Sequence, residues 1–69
     1  MPISARNQLP GKVKSVKEGI VTAEVVVELA GGQEIVSVIT MTSVQNLGIK
    51  VGAEVTALIK ATEVMLAVD

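Results

Sequence analysis

With neither His nor Cys in the chain, the groups left to do chemistry are hydroxyls, backbone amides and a few cations. They gather in three places: Ser4-Ala5-Arg6-Asn7, Thr40-Met41-Thr42-Ser43 and Lys60-Ala61-Thr62. Thr40, Thr42 and Ser43 stand where a strand-like run gives way to a helix start. There the first backbone N–H groups lack partners, and the helix dipole amounts to about +0.5 charge. Such an end suits an anion. Lys60 closes a strand-like run and offers the full positive charge that a bound anion needs. Ser4 and Arg6 would close the site from a neighbouring segment or from another subunit. Each place also has an ordinary structural reading. Thr42 and Ser43 are good helix caps, Lys60 alone is a solvated strand residue, and Ser4 to Asn7 resemble a loose terminus. Lys12, Lys14 and Lys17 alternate imperfectly and read as an exposed sheet face. Met41 and Met65 read as core filler.

What is missing narrows the chemistry further. The 69 residues include no Phe, Trp, Tyr, His or Cys. Zinc, iron–sulfur and haem sites, thiol chemistry and disulfides are therefore excluded, and so are the Ser-His-Asp and Cys-His arrangements. No cation ligands are expected, and the chain reads as a non-enzyme. No aromatic ring can stack on a base, and a net charge of −1 gives no reason to expect a polyanionic partner. No apolar run approaches 18 residues, and no basic-then-apolar leader opens the chain, so a soluble cytoplasmic protein is expected, with no membrane partner.

The elements that must position these groups are β-rich. Thirteen Val, six Ile and five Thr are stiff at the first side-chain torsion and fit a pleated sheet. Residues 12–17 form a β-compatible segment ended by Glu18-Gly19, after a polar opening (1–11) with two prolines. Residues 20–29 alternate, with Val21, Ala23, Val25, Val27 and Leu29 on one face. Gly31-Gly32 is a turn signal, and residues 34–40 return as a strand apolar on both faces and so well covered. Thr42 and Gln45 have capping-box spacing, with Gly48 past the end, for a helix of one to two turns. Lys50-Val51-Gly52 turns into a strand at 54–60, and Val64-Met65-Leu66-Ala67-Val68 closes as a fifth strand. The expected fold is all-β, a small five-stranded OB-like Greek-key barrel with one short helix, in a single domain over 1–69. A domain of about 60 residues buries only ~60% of its unfolded surface, and this one has no large side chains to bury. Further burial against copies of itself is expected.

The strings Ile3-Ser4-Ala5-Arg6-Asn7-Gln8-Leu9 with Gly11-Lys12-Val13, and Leu58-Ile59-Lys60-Ala61-Thr62-Glu63-Val64, resemble the two hallmark motifs of the molbindin (Mop) family. Ala30-Gly31-Gly32, Val38-Ile39-Thr40 with Ser43, and Leu47-Gly48 with Gly52 fall at the family's spacing, so the resemblance spans essentially the whole chain. It implies an OB-like barrel with strands exchanged between subunits, in a homohexamer built as a trimer of dimers. It also implies storage of molybdate or tungstate, bound as an oxyanion at subunit interfaces. The implied main site takes Ser4, the backbone at Ala5 and Arg6, Thr40, Ser43, Lys60 and Ala61, from two chains. A second anion site near a three-fold axis is placed around Gly19, Ile20 and Val21. Two other functions compete: a single-stranded nucleic-acid module, common among OB barrels but short here of aromatics and positive charge, and a structural or sensor domain that partners a molybdate transporter or regulator.

Overall fold

The computed structural model describes residues 2–69. Four antiparallel strands, β1 (Asn7–Glu18), β2 (Thr22–Leu29), β3 (Glu34–Thr40) and β4 (Glu54–Ile59), form one sheet in the order β3-β2-β1-β4. Three consecutive strands with the fourth returning beside the first is Greek-key order. A seven-residue helix, α1 (Met41–Leu47), makes the return from β3, and a 3₁₀ turn (Ala61–Glu63) follows β4. Residues 64–69 belong to no strand of this sheet. Among the described residues the fifth strand expected there is not formed, and Met65, Leu66 and Val68 are more than nine-tenths exposed.

β1 begins five residues earlier than its composition suggested. Its first half, Asn7 to Pro10, pairs only with β4, and pairing with β2 starts at Gly11. Pro10 therefore stands where the strand is an edge on one side, the position in which a missing N–H is tolerated. Gly11 bridges both partners, facing Leu29 and Val55. A Cβ there would lie 2.5 Å from the Glu28 carbonyl oxygen and 2.8 Å from Val27 Cγ1. Gly11→Ala should therefore destabilise the fold by about 1–3 kcal/mol. Urea unfolding at matched protein concentration would show it as a lower midpoint, and an unchanged midpoint would refute the close approach.

The irregular spacing of the three lysines has a structural cause. Val13 faces Val27 and Ser15 faces Val26, so Lys14 is the extra residue of a β-bulge. The bulge resets the alternation, which brings Val13 and Val16 to the same inner face. Lys14 bonds Glu34 on β3 and lies 3.9 Å from Glu28 on β2. The Glu34 hydrogen bond, then the Glu34 charge, hold its pKa above 10.5, with a smaller contribution from Glu28.

Val13, Val25 and Val27 form the core, with Val16, Leu29, Ile39, Ile49, Ala53 and Val55 packed on it. The alternation read for β2 holds at Ala23, Val25 and Val27 but fails at Val21, which is 69% exposed at the β1–β2 turn beside Ile20. On β3 the outward residues Val36 and Val38 are exposed, so that strand is covered on one face only in the single chain. The cap of α1 is Thr40, not Thr42: its side chain accepts from Ser43 N–H. At the other end Gly48 takes a left-handed conformation (φ 65°), and Ile49 N–H reaches Val44 O across the turn. This is a Schellman end that a β-carbon would disfavour. Val44 is the side chain that α1 buries.

Candidate functional site

The register sorts the candidate residues into two groups at opposite ends of β1. Asn7 pairs with Ile59, so Arg6 and Lys60 emerge side by side where β1 begins and β4 ends. Ser4, Ala5 and Ala61 adjoin them. Glu18 pairs with Ala23, and Thr22 with Thr40, so Thr40 and Ser43 stand where β1 ends. Twelve residues of strand lie between the groups. At about 3.3 Å per residue that is roughly 40 Å of contour.

Side-chain amides fix the first group. Asn7 Nδ2 donates to Ile59 O at 3.1 Å and ties the two strand ends together. Gln8 Nε2 donates to Ala5 O at 2.7 Å and holds the backbone before Arg6. Gln8 was not among the candidates, and its place in the first motif was the one signal pointing to it. The 3₁₀ turn's own bond starts at Glu63 N–H, which donates to Lys60 O at 2.8 Å. The Ala61 amide is left out of the turn's bonding. Among the described residues neither Arg6 nor Lys60 has an ion-pair partner, and the pairs that exist are those of Lys14. Two cations and a backbone amide thus share one strand end.

The second group is a hydroxyl pair. Thr40 Oγ1 accepts Ser43 N–H at 3.0 Å and donates to Ser43 Oγ at 2.9 Å. That arrangement leaves the Ser43 O–H proton for an outside acceptor. The amides at this helix end are less available than the sequence suggested. Met41 N–H donates to Val21 O at 2.8 Å and Ser43 N–H to Thr40. What this end still offers is the Ser43 hydroxyl proton and, of the first three helix amides, that of Thr42. The Met41–Val21 bond also sets Gly19, Ile20 and Val21 beside the hydroxyl pair, where Gly19 N–H donates to Thr22 O at 2.8 Å. Among the described residues no cluster of three or more His, Cys, Asp or Glu could hold a metal ion. No helix among them is long and apolar enough to cross a membrane.

Residues 3–66 match the TOBE domain family. Over 66 residues, 96% of this chain and 97% of the relative, the sequence is 61% identical to molybdenum-pterin-binding protein 1 of Clostridium pasteurianum. The chain belongs to the molbindin (Mop) family of TOBE domains. This molbindin chain is also similar in structure to MopII of the same organism, with a TM-score of 0.92 and 58% identity over 97% of this chain and 100% of that one. ModG, described as a cytoplasmic molybdate-binding protein and solved with molybdate bound, matches at a TM-score of 0.86 and 49% identity. The match covers 88% of this chain and 43% of ModG. The OB-like, mostly β fold read from the sequence is therefore that of the molbindins, with four strands within the chain.

Proposed function

We propose that this chain assembles with copies of itself and captures molybdate, or tungstate, reversibly where two subunits meet. The observation that carries this reading is the division of the donor set between the two ends of β1. A cationic half-site (Ser4, Ala5, Arg6, Lys60, Ala61) and a hydroxyl half-site (Thr40, Ser43) complete each other when one chain's β1 start meets another's β1 end. Relatives named for molybdenum-pterin or molybdate binding support the choice of anion. The assembly is a homohexamer, a trimer of dimers. A second anion site lies at Gly19, Ile20 and Val21, on turns that meet near the three-fold axis. The protein stores and buffers the anion in the cytoplasm without turnover.

The exposed C-terminal segment supplies the contact. The inner face of the curled sheet is an apolar cleft between β3 and β4, lined by Val25, Val27, Ile35, Ile39 and Val55 among others. Both flanking strands are edges with free backbone groups. Val64 to Val68 of a second copy, apolar on both faces, docks there as the exchanged fifth strand.

The chemistry suits the cargo. Molybdate is a tetrahedral dianion with four acceptor oxygens and no donor. It calls for donors in three dimensions, which hydroxyls, amides and a lysine on separate segments supply better than one planar fork. Charge-assisted hydrogen bonds contribute roughly 1.5–3 kcal/mol each. About five of them reach the ~8 kcal/mol of micromolar affinity after ordering costs. Equilibrium dialysis against molybdate and sulfate tests the reading. Saturable molybdate uptake at tens of micromolar, with sulfate competing poorly, is expected. Equal uptake of both anions would overturn it.

A further inference from the structure

The sequence lacks Cys, Trp, Tyr and His, so thioethers are its only readily oxidised side chains. The two methionines among the described residues differ sharply in setting. Met41 opens α1, partly buried, its N–H bonded to Val21. Met65 is 92% exposed, in the middle of the apolar Val64–Val68 run. That run has no strand partner among the described residues and, on the reading proposed above, is the segment that enters the apolar cleft of a second copy.

We infer that Met65 is an oxidation site that controls assembly. A peroxide transfers one oxygen atom to the Met65 thioether sulfur, giving the sulfoxide and, from hydrogen peroxide, water. The O–O bond breaks as the S–O bond forms, sulfur loses two electrons, and no other reductant is needed. The product is a polar, chiral group in place of a flexible apolar one. The cleft is lined mainly by Val25, Val27, Ile35, Ile39 and Val55, with Ser37 the hydroxyl on its half-buried face. Docking therefore takes the sulfoxide oxygen out of water and into a largely apolar lining, which costs free energy that the thioether does not. Reactivity and consequence fall on opposite sides of the docking step. The sulfur is accessible while the chain is free and shielded once the segment is seated. Oxidation therefore acts on unassembled chains and keeps them unassembled, and since each anion site needs two chains, it withholds anion capture as well. Met41 lies outside the docking segment and does not take part.

The test uses the full chain, treated with hydrogen peroxide in urea, freed of both reagents, refolded and examined by native mass spectrometry. Peptide mapping locates the sulfoxides. The untreated chain assembles, and the treated chain, with sulfoxide at Met65, shows an assembled fraction lower by at least about tenfold. Met65→Leu assembles whether treated or not, because Leu keeps the volume and cannot be oxidised. Met41→Leu responds to peroxide as the parent does. Circular dichroism of each sample confirms that the sheet is retained. A chain carrying the Met65 sulfoxide that assembles like the untreated one overturns the inference, as does a Met65→Leu chain that remains peroxide-sensitive. Failure of the untreated chain to assemble overturns the proposed function, and this inference with it. Assembly indifferent to oxidation overturns this inference alone.

Discussion

Ending the chain after Glu63 leaves single chains that retain the four-stranded sheet and take up no molybdate. The six residues removed form no strand, and among the described residues their one backbone bond to the rest of the chain is a long one, Val64 N–H to Ala61 O at 3.4 Å. The core of Val13, Val25 and Val27 does not include them. Within one chain they contribute little. On the proposed reading, docking on a second chain takes Met65, Leu66, Val68 and the exposed half of Val64 out of water, worth a gross ~5–10 kcal/mol per segment at ~1.5–3 kcal/mol per side chain. On the same reading they would bring backbone groups to the two open strand edges, β3 and β4. Such a contribution, made once for every docked segment, is large enough to decide assembly. Native mass spectrometry of the truncated chain should therefore show monomer, and dialysis should show molybdate uptake reduced to background. Leu66→Glu, which keeps the length, should shift assembly the same way. An assembled truncated chain with normal uptake would show that the segment is not the contact.

The core of the sheet was legible because it obeys a period of two. Ala23, Val25 and Val27 alternate with Glu24 and Glu28, and burial follows that alternation. The first half of β1 was not legible, because Pro10 and Gly11 are strand breakers in isolation. Here an edge position excuses the proline, and a crossing of three strands requires the glycine. The bulge at Lys14 was written in the sequence as a three-residue step from Val13 to Val16, and appeared only as faulty alternation. Thr40 lost the cap to Thr42 in the sequence reading because Thr40 also fits the end of a strand, and it serves as both. The last segment is the element whose pairing a single chain does not show. Val64 to Val68 has the composition of a buried strand, yet none of the described residues pairs with it. Propensity is a local property, while pairing needs a partner, and local pattern does not say where that partner lies.

The candidate site shows the same division of knowledge. Which residues belong together is carried by the motifs, but how they divide is carried by register alone. In the sequence, Lys60 is only 20 positions from Thr40 and 54 from Arg6. In the fold Lys60 stands beside Arg6, because the start of β1 pairs with the end of β4. Separation along the chain gave the opposite grouping. Gln8 and Asn7 went the same way: their amides lock the Ala5 and Ile59 carbonyls, a role that exists only once the strands have met.

The division leads to a test that separates a site within one chain from a site between two. Lys60→Ala removes a full positive charge from the cationic half-site, and Ser43→Ala removes the outward hydroxyl proton from the other half. Each change sits at an exposed or half-buried position away from Val13, Val25 and Val27, so the assembly should survive. Losing a charged donor costs roughly 1.5–3 kcal/mol, or about 10- to 150-fold in affinity. Dialysis of either variant alone should therefore show little molybdate at concentrations that saturate the parent. Unfolding the two variants together and reassembling them as an equal mixture should restore uptake. Random pairing makes about half of the dimers mixed, and in a mixed dimer with two-fold symmetry one site receives the intact Lys60 and the intact Ser43 while the other receives neither. About a quarter of the parent's main sites should then bind with the parent's affinity. If all the donors came from one chain, every site in the mixture would carry one defect, and mixing would restore nothing. Native mass spectrometry of the mixture, with variants distinguished by mass, would show whether the bound anion travels with the mixed assemblies. Restored uptake there would place Lys60 and Ser43 of different chains at one anion.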